Sequence, residues 1–271
     1  MAFPGDVDGD NLPFDARIEL LSERAGATAA ELRARLRPGF DRVAIEQRVD
    51  RQWAARNGLA QVGYYLPAVP VNLALFARHV IGTDQSFFLH YSGGSRALNA
   101  ALNVGAKVTP GPDGRHAVAP VGAFAREEVA RAGYFAETFG IETDRIAALK
   151  GYAARLEAAG PWPAFVTLDR KPDGLEAAGM PGDSPSQLTP LSAAHSELVY
   201  RVQTDRTRLA VLAFRYDRNW RFEIAGRRLE TVEVDGFWLG VVVPPSDGEL
   251  SGRYVPKFAG VFLQGFGGRA D

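Results

Sequence analysis

Leu209-Ala210-Val211-Leu212-Ala213-Phe214-Arg215-Tyr216, Arg221-Phe222-Glu223-Ile224-Ala225 and Phe237-Trp238-Leu239-Gly240-Val241-Val242-Val243 are rich in apolar, β-branched and aromatic residues, and turn residues lie among them. Each is too short for a helix and is bounded by strong breakers, so each reads as a strand. Similar runs cover 198–204, 229–234, 253–255 and 260–264. Gly226-Arg227, Asp235-Gly236 and Asp247-Gly248 punctuate the series as turns. Nothing after residue 190 reads as a helix. Short strands at this spacing predict an antiparallel sandwich or barrel half.

Upstream the texture differs. Residues 171–190 hold four prolines, three glycines and two serines, which predicts a domain boundary or a long connection. Before it, helical and extended patterns mix. Phe14, Ala16, Ile18 and Leu20 alternate with charged residues as in a half-buried strand. Thr28 and Glu31 form a capping box for a short helix through Leu36. A strand is expected over 40–49, a helix over 70–81 ended by Gly82, and a strand over 86–91. Ser95 is placed to cap a helix carrying Leu98, Ala101 and Leu102 on one side. A short strand over 106–109 and a turn over 110–114 follow. Helices are expected over 124–134 and 143–159. The fold class expected is therefore α+β. A mixed α/β part over residues 1–175 precedes a C-terminal antiparallel β-sandwich over 186–265.

Composition narrows the function. Of 271 residues, 46% are hydrophobic and 23% charged, as in an ordinary globular chain. Thirty-one basic residues against thirty-two acidic ones give a net charge of -1, and no basic patch suggests nucleic acid. The chain has no cysteine, which excludes disulfides, thiolate nucleophiles and zinc-cysteine sites. No window reaches the roughly 20 apolar residues of a spanning helix. The N-terminus lacks the basic and apolar regions of a signal peptide.

The candidate chemistry is sparse. Asp6, Asp8 and Asp10 begin like a calcium loop, but Asn11 and Arg17 stand where glycine and glutamate are needed. His79, His90, His116 and His195 are scattered without metal-ligand spacing, and no metal or cofactor is expected. Glu127 and Glu128 are adjacent on an expected helix and point apart, which suits no paired-carboxylate mechanism. The G-x-S-x-G elbow of a serine hydrolase is absent. Ser92-Gly93-Gly94-Ser95-Arg96 precedes a helix, so Ser92, Ser95 and Arg96 are candidates for a phosphate or sugar contact. Among the clustered aromatics, Tyr216, Trp220 and Trp238 are candidates for stacking on sugar rings. Alternation sets Phe237 and Trp238 on opposite faces of their strand, so at least one of them is expected to be exposed.

Tyr216-Asp217-Arg218-Asn219-Trp220, the run ending Val243-Pro244-Pro245, and Tyr254-Val255-Pro256-Lys257-Phe258-Ala259-Gly260 together resemble the extracytoplasmic C-terminal module of YfhO-like bacterial membrane proteins. That group is related to GT-C-type integral-membrane glycosyltransferases. Upstream, Phe40-Asp41-Arg42-Val43, Asn57-Gly58-Leu59-Ala60, Gly63-Tyr64-Tyr65-Leu66-Pro67 and residues 98–108 are similar to the family's N-terminal soluble portion. Ala225-Gly226 stands where the family usually has Asp-Gly, and Pro245-Ser246-Asp247-Gly248 replaces a tight Pro-x-Gly turn. The resemblance implies a non-catalytic extracytoplasmic accessory domain of a membrane glycosyltransferase-like protein in cell-envelope glycan assembly. Such a domain would be attached through membrane segments absent from this chain. It would position a glycan, a lipid-linked sugar or a protein partner. Two other readings are a free-standing carbohydrate-binding protein, and a soluble hydrolase or transferase using His90 with Ser92 or Ser95.

Overall fold

The computed structural model describes residues 29–34, 36, 40–45, 54, 59, 62–65, 70–83, 88–90, 94–110, 116–120, 132–159, 164–175, 186–194 and 196–256. The strands expected over 14–21 and 260–264 lie outside these residues. So do the turn at 111–114 and the helix expected over 124–131.

Residues 29–34 are helical, as the capping box predicts. β1 (Arg42–Ile45) pairs in parallel with β4 (Val104–Pro110), and β4 pairs antiparallel with β5 (His116–Pro120). β2 (Gly63–Tyr65) and β3 (Phe88–His90) form a separate antiparallel pair. Helix α1 (Val71–Phe76) begins after Pro70, whose carbonyl accepts from the N–H groups of Leu73 and Ala74. It continues as a π-helical turn, Ala77–Ile81, and Gly82 ends it at φ +80. Only glycine takes that left-handed position without steric cost. Helix α2 (Arg96–Ala101) is capped by Ser95, as expected, and Asn103 follows it in the left-handed region with φ 52. α3 (Arg145–Ala159) starts where the Asp144 carboxylate accepts from the Ile146 N–H at 2.8 Å.

The remaining strands build two larger sheets. They are β6 (Gly133–Phe135), β7 (Thr138–Ile141), β8 (Phe165–Leu168), β9 (Gln187–Ala193), β10 (Glu197–Thr204), β11 (Arg208–Arg215), β12 (Trp220–Ile224), β13 (Arg227–Leu229), β14 (Thr231–Val234), β15 (Trp238–Val243) and β16 (Ser246–Tyr254). The six-stranded sheet runs β6-β11-β15-β14-β8-β7 and the five-stranded sheet runs β13-β12-β16-β10-β9. Among the described residues, every pairing is antiparallel except β1 with β4 and β7 with β8. Strand outweighs helix, and the antiparallel sheets with accompanying helices fit the α+β class. Strands on both sides of residues 176–185 enter the six-stranded sheet.

Period-2 alternation explains the packing. Leu198, Tyr200 and Val202 of β10, Trp220, Phe222 and Ile224 of β12, and Leu250 of β16 point one way. They share one core cluster with Ala210, Leu212, Leu239, Val241 and Val243 from the six-stranded sheet. The other face of that sheet offers Leu209, Val211, Val232, Val234, Trp238 and Val242. These meet Phe76 and Ala77, Leu98 and Leu102 around α2, and Leu149, Tyr152 and Leu156 of α3. β15 is buried along its whole length for this reason. Arg42 ties the small sheet to the large one. Its guanidinium donates to the carbonyls of Leu102 and Ala213, each at 2.8 Å, and lies over the Phe214 ring.

Three expectations change. The helix expected through Tyr134 gives way to β6, whose Gly133 faces Leu212 in register. A Cβ at Gly133 would come within 2.9 Å of the Val211 carbonyl oxygen, so the absent side chain lets the strand close on β11. Asp247-Gly248 makes no turn. Both lie inside β16, opposite Gln203 and Val202, and at Pro244-Pro245 the chain passes from β15 to β16 of the other sheet. The turn expected at Gly226-Arg227 lies one residue earlier. Ala225 and Gly226 take the left-handed region and Ile224 pairs with Arg227. Asp235-Gly236 turns as predicted, with φ 51 and 72.

Candidate functional site

The aromatic residues picked out by sequence are structural. Trp220 is 8% exposed and meets Tyr254 edge-on at 5.4 Å, with Phe222 at 5.9 Å and Phe214 at 6.5 Å. The Tyr254 hydroxyl donates to the Asp217 carboxylate, which also accepts from the Asn219 N–H. Tyr216 is half-buried. Its N–H donates to the Phe237 carbonyl at 2.7 Å, and its carbonyl accepts from the Asn72 amide. Burial, with Asp169 nearby, pushes its phenol up. The aromatic corner 216–220 therefore joins β11, β12, β16 and α1.

Trp238 is 5% exposed, packed edge-on to Phe76, Tyr152 and Phe237. Phe237 is equally buried and stacks on Phe76 at 3.9 Å. The expectation that one of the two is exposed is corrected. α1 and α3 cover this face of the sheet, and Phe237 closes the turn by donating to the Val234 carbonyl. Trp220 and Trp238 are thus in different cores and form no common stacking platform. The void beneath Trp238, about 10 Å³, has room for one water at most.

Gly94 and Ser95, just before α2, bond to the helix itself. Ser95 Oγ accepts from the Leu98 N–H at 3.2 Å. The Gly94 N–H donates to Asn99 Oδ1, and Asn99 Nδ2 donates back to the Gly94 carbonyl. Ser95 Oγ and the Gly94 N–H, two of the groups expected to meet an anion, are thus engaged at the helix start. Ser92 and the side chains of His90 and Arg96 lie outside the described residues.

Two polar arrangements were not anticipated. The first is internal. Asp235 sits at the β14–β15 turn, 1% exposed. Its Oδ1 accepts from Arg155 at 2.5 Å, from the Thr167 N–H at 2.7 Å and from the Thr167 hydroxyl at 2.9 Å. Burial pushes this carboxyl up to about 6, while Arg155 and Thr167 pull the other way. The same surroundings push the phenols of Tyr134 and Tyr152 up. Nearby, Arg145 grips Glu233 with two bonds of 2.6 and 2.7 Å. These contacts fasten α3 and β8 to the β14–β15 hairpin.

The second is external. The outward residues of β10, β12, β13 and β16 surround a concavity of about 370 Å³. Register lays them out in rows. Glu197, Arg253 and Arg221 are neighbours across three strands, and Val199, Ser251, Glu223 and Arg228 form the next row. Short Val199 and Ser251 lie between longer charged residues. Among the described residues no group of three or more His, Asp or Glu could hold a metal ion. A second groove, about 360 Å³, runs between β6 and β9 and is lined by Glu137, Ser186 and Thr189 without a cation. Alternation with inward Trp220 and Phe222 marks Arg221 as outward from sequence. Its juxtaposition with Arg253 needs the strand register, which sequence alone does not supply.

Compared with known protein families, curated proteins and solved structures, the chain shows no match.

Proposed function

We propose that this chain is a non-catalytic extracytoplasmic module of a membrane glycosyltransferase-like protein, and that it positions a glycan beside the transferase. The two larger sheets, on this reading, are the layers of a β-sandwich that presents one outer face to its ligand. The observation that carries the reading is the division of labour among polar and aromatic groups. The residues of the resemblance, Tyr216, Trp220 and Tyr254, brace a corner, while an open concavity lined by charged and apolar side chains occupies the outer face of the five-stranded sheet. A rigid sheet carrying exposed carboxylates, guanidiniums and a hydroxyl suits hydroxyl-rich ligands, because each such group donates to or accepts from a sugar hydroxyl. The membrane setting comes from the resemblance.

The test is to pass a panel of oligosaccharides and lipid-linked sugars over the purified chain and analyse the eluate by mass spectrometry. Retention of a saccharide without any new product is expected. A transferred or hydrolysed product, lost on changing one carboxylate, overturns the reading, as does failure to retain any saccharide.

A further inference from the structure

Resting on that reading, we infer that the concavity on the outer face of the five-stranded sheet takes an acidic saccharide, with its anionic group held between Arg221 and Arg253. The inference starts from a repulsion. Arg221 of β12 and Arg253 of β16 are direct register partners on the same face. Like charges placed opposite each other across two strands destabilise the pairing. The fold relieves this only in part. Arg253 leans toward β10 and meets Glu197 at 3.2 Å. Arg221 turns back along its own chain, donating to the carbonyls of Arg218 at 2.7 Å and Trp220 at 3.2 Å. Both partners are weak competitors for a ligand. The Arg253–Glu197 pair is solvent-exposed, at 73% and 55%, and an exposed ion pair contributes little. Carbonyl acceptors also bond a guanidinium less strongly than a carboxylate or phosphate does, since only the latter bring a full negative charge.

The rest of the concavity suits the remainder of a sugar. Glu197 and Glu223 accept hydroxyl donors, and Ser251 both donates and accepts. Val199 and Val255 supply an apolar patch for the C–H face of a ring. Arg228, in register with Glu223, adds a third guanidinium at the rim. Three arginines against two glutamates leave the rim positive on a chain whose net charge is -1. The groove between β6 and β9 has no cation, so a neutral sugar could lodge there but an anionic one gains nothing. Planar guanidiniums match both carboxylate and phosphate, so a uronic acid and a sugar phosphate share this chemistry.

The experiment is calorimetric titration of the full chain with trigalacturonic acid, glucose 1-phosphate and neutral maltotriose, repeated with Arg221→Gln/Arg253→Gln. Both positions are on the sheet surface, and an unchanged melting temperature verifies folding. At least one acidic probe should bind. Its affinity should fall at least about tenfold in the double variant, the loss expected for charge-assisted bonds. It should also weaken as salt is raised. Which acidic probe binds identifies carboxylate or phosphate as the anion. Acidic and neutral probes binding alike, with the double variant unaffected, overturns this inference and leaves the glycan reading standing. No binding of any of the three probes overturns the inference, and the wider saccharide panel then decides the reading it rests on.

Discussion

Replacing Asp235 by asparagine isolates a carboxylate whose protonation is coupled to the fold. The substitution keeps the shape of the side chain and tolerates the left-handed backbone of the turn. It also keeps an acceptor for Arg155 and Thr167. What it removes is the titration. Burial raises this carboxyl from 3.8 to about 6, so between those values the folded protein binds a proton that the unfolded chain has released. Stability from this group is therefore fully present below about pH 4 and is lost as the pH rises through about 6. For this buried group the displacement corresponds to about 3 kcal/mol. Urea unfolding of both proteins at closely spaced pH values from 3.5 to 7.5 measures it. The wild-type stability, relative to Asp235→Asn, should decline across that window and level off above it. Parallel curves would refute the reasoning. A relative rise with pH would show that Arg155 and Thr167 outweigh burial.

Trp220→Ala should cost about 3–5 kcal/mol, because the indole fills the core between β12 and its neighbours. A calorimetric melting temperature equal to wild type would reassign Trp220 to the surface. Ala225→Asn should gain about 0.5–1 kcal/mol by relieving an alanine held at φ 49, seen as a small upward shift of the melting temperature. A downward shift would contradict the strain. Gly240→Ala would put a Cβ within 2.6 Å of Val234 and 2.8 Å of Val232. Overpacking of this kind should cost about 1–3 kcal/mol in chemical denaturation, and a neutral result would mean the β14–β15 contact gives way freely.

Local signals predicted the elements that local physics decides. Ser95 caps α2 because a serine oxygen can serve the third N–H beyond it. Asp235-Gly236 turns because both residues tolerate positive φ. β10, β11, β12 and β15 are long enough for their pattern to be read, whereas the 229–234 run divides between β13 and β14 at Glu230. What sequence could not supply depends on distant partners. β6, β7 and β8 have three or four residues each, and β6 finds its partner in β11 about seventy residues later. Helical pattern upstream of Gly133 outweighed that pairing. Asp247-Gly248 carries a turn signature, yet β10 pairs with it residue for residue and keeps it extended. For the site, alternation alone assigned one of Phe237 and Trp238 to solvent, because it cannot see the helices covering that face. The pairing of Arg221 with Arg253 was hidden because it depends on the register of β12 against β16.

Mapping where a retained saccharide lands on the folded chain tests the account most directly. Backbone amide shifts of the ¹⁵N-labelled protein, followed as the ligand is added, should move at Val199, Arg221, Glu223, Ser251 and Arg253 and stay fixed at Tyr152 and Trp238. Shifts confined to the groove between β6 and β9, or centred on the buried residues around Asp235, would contradict it.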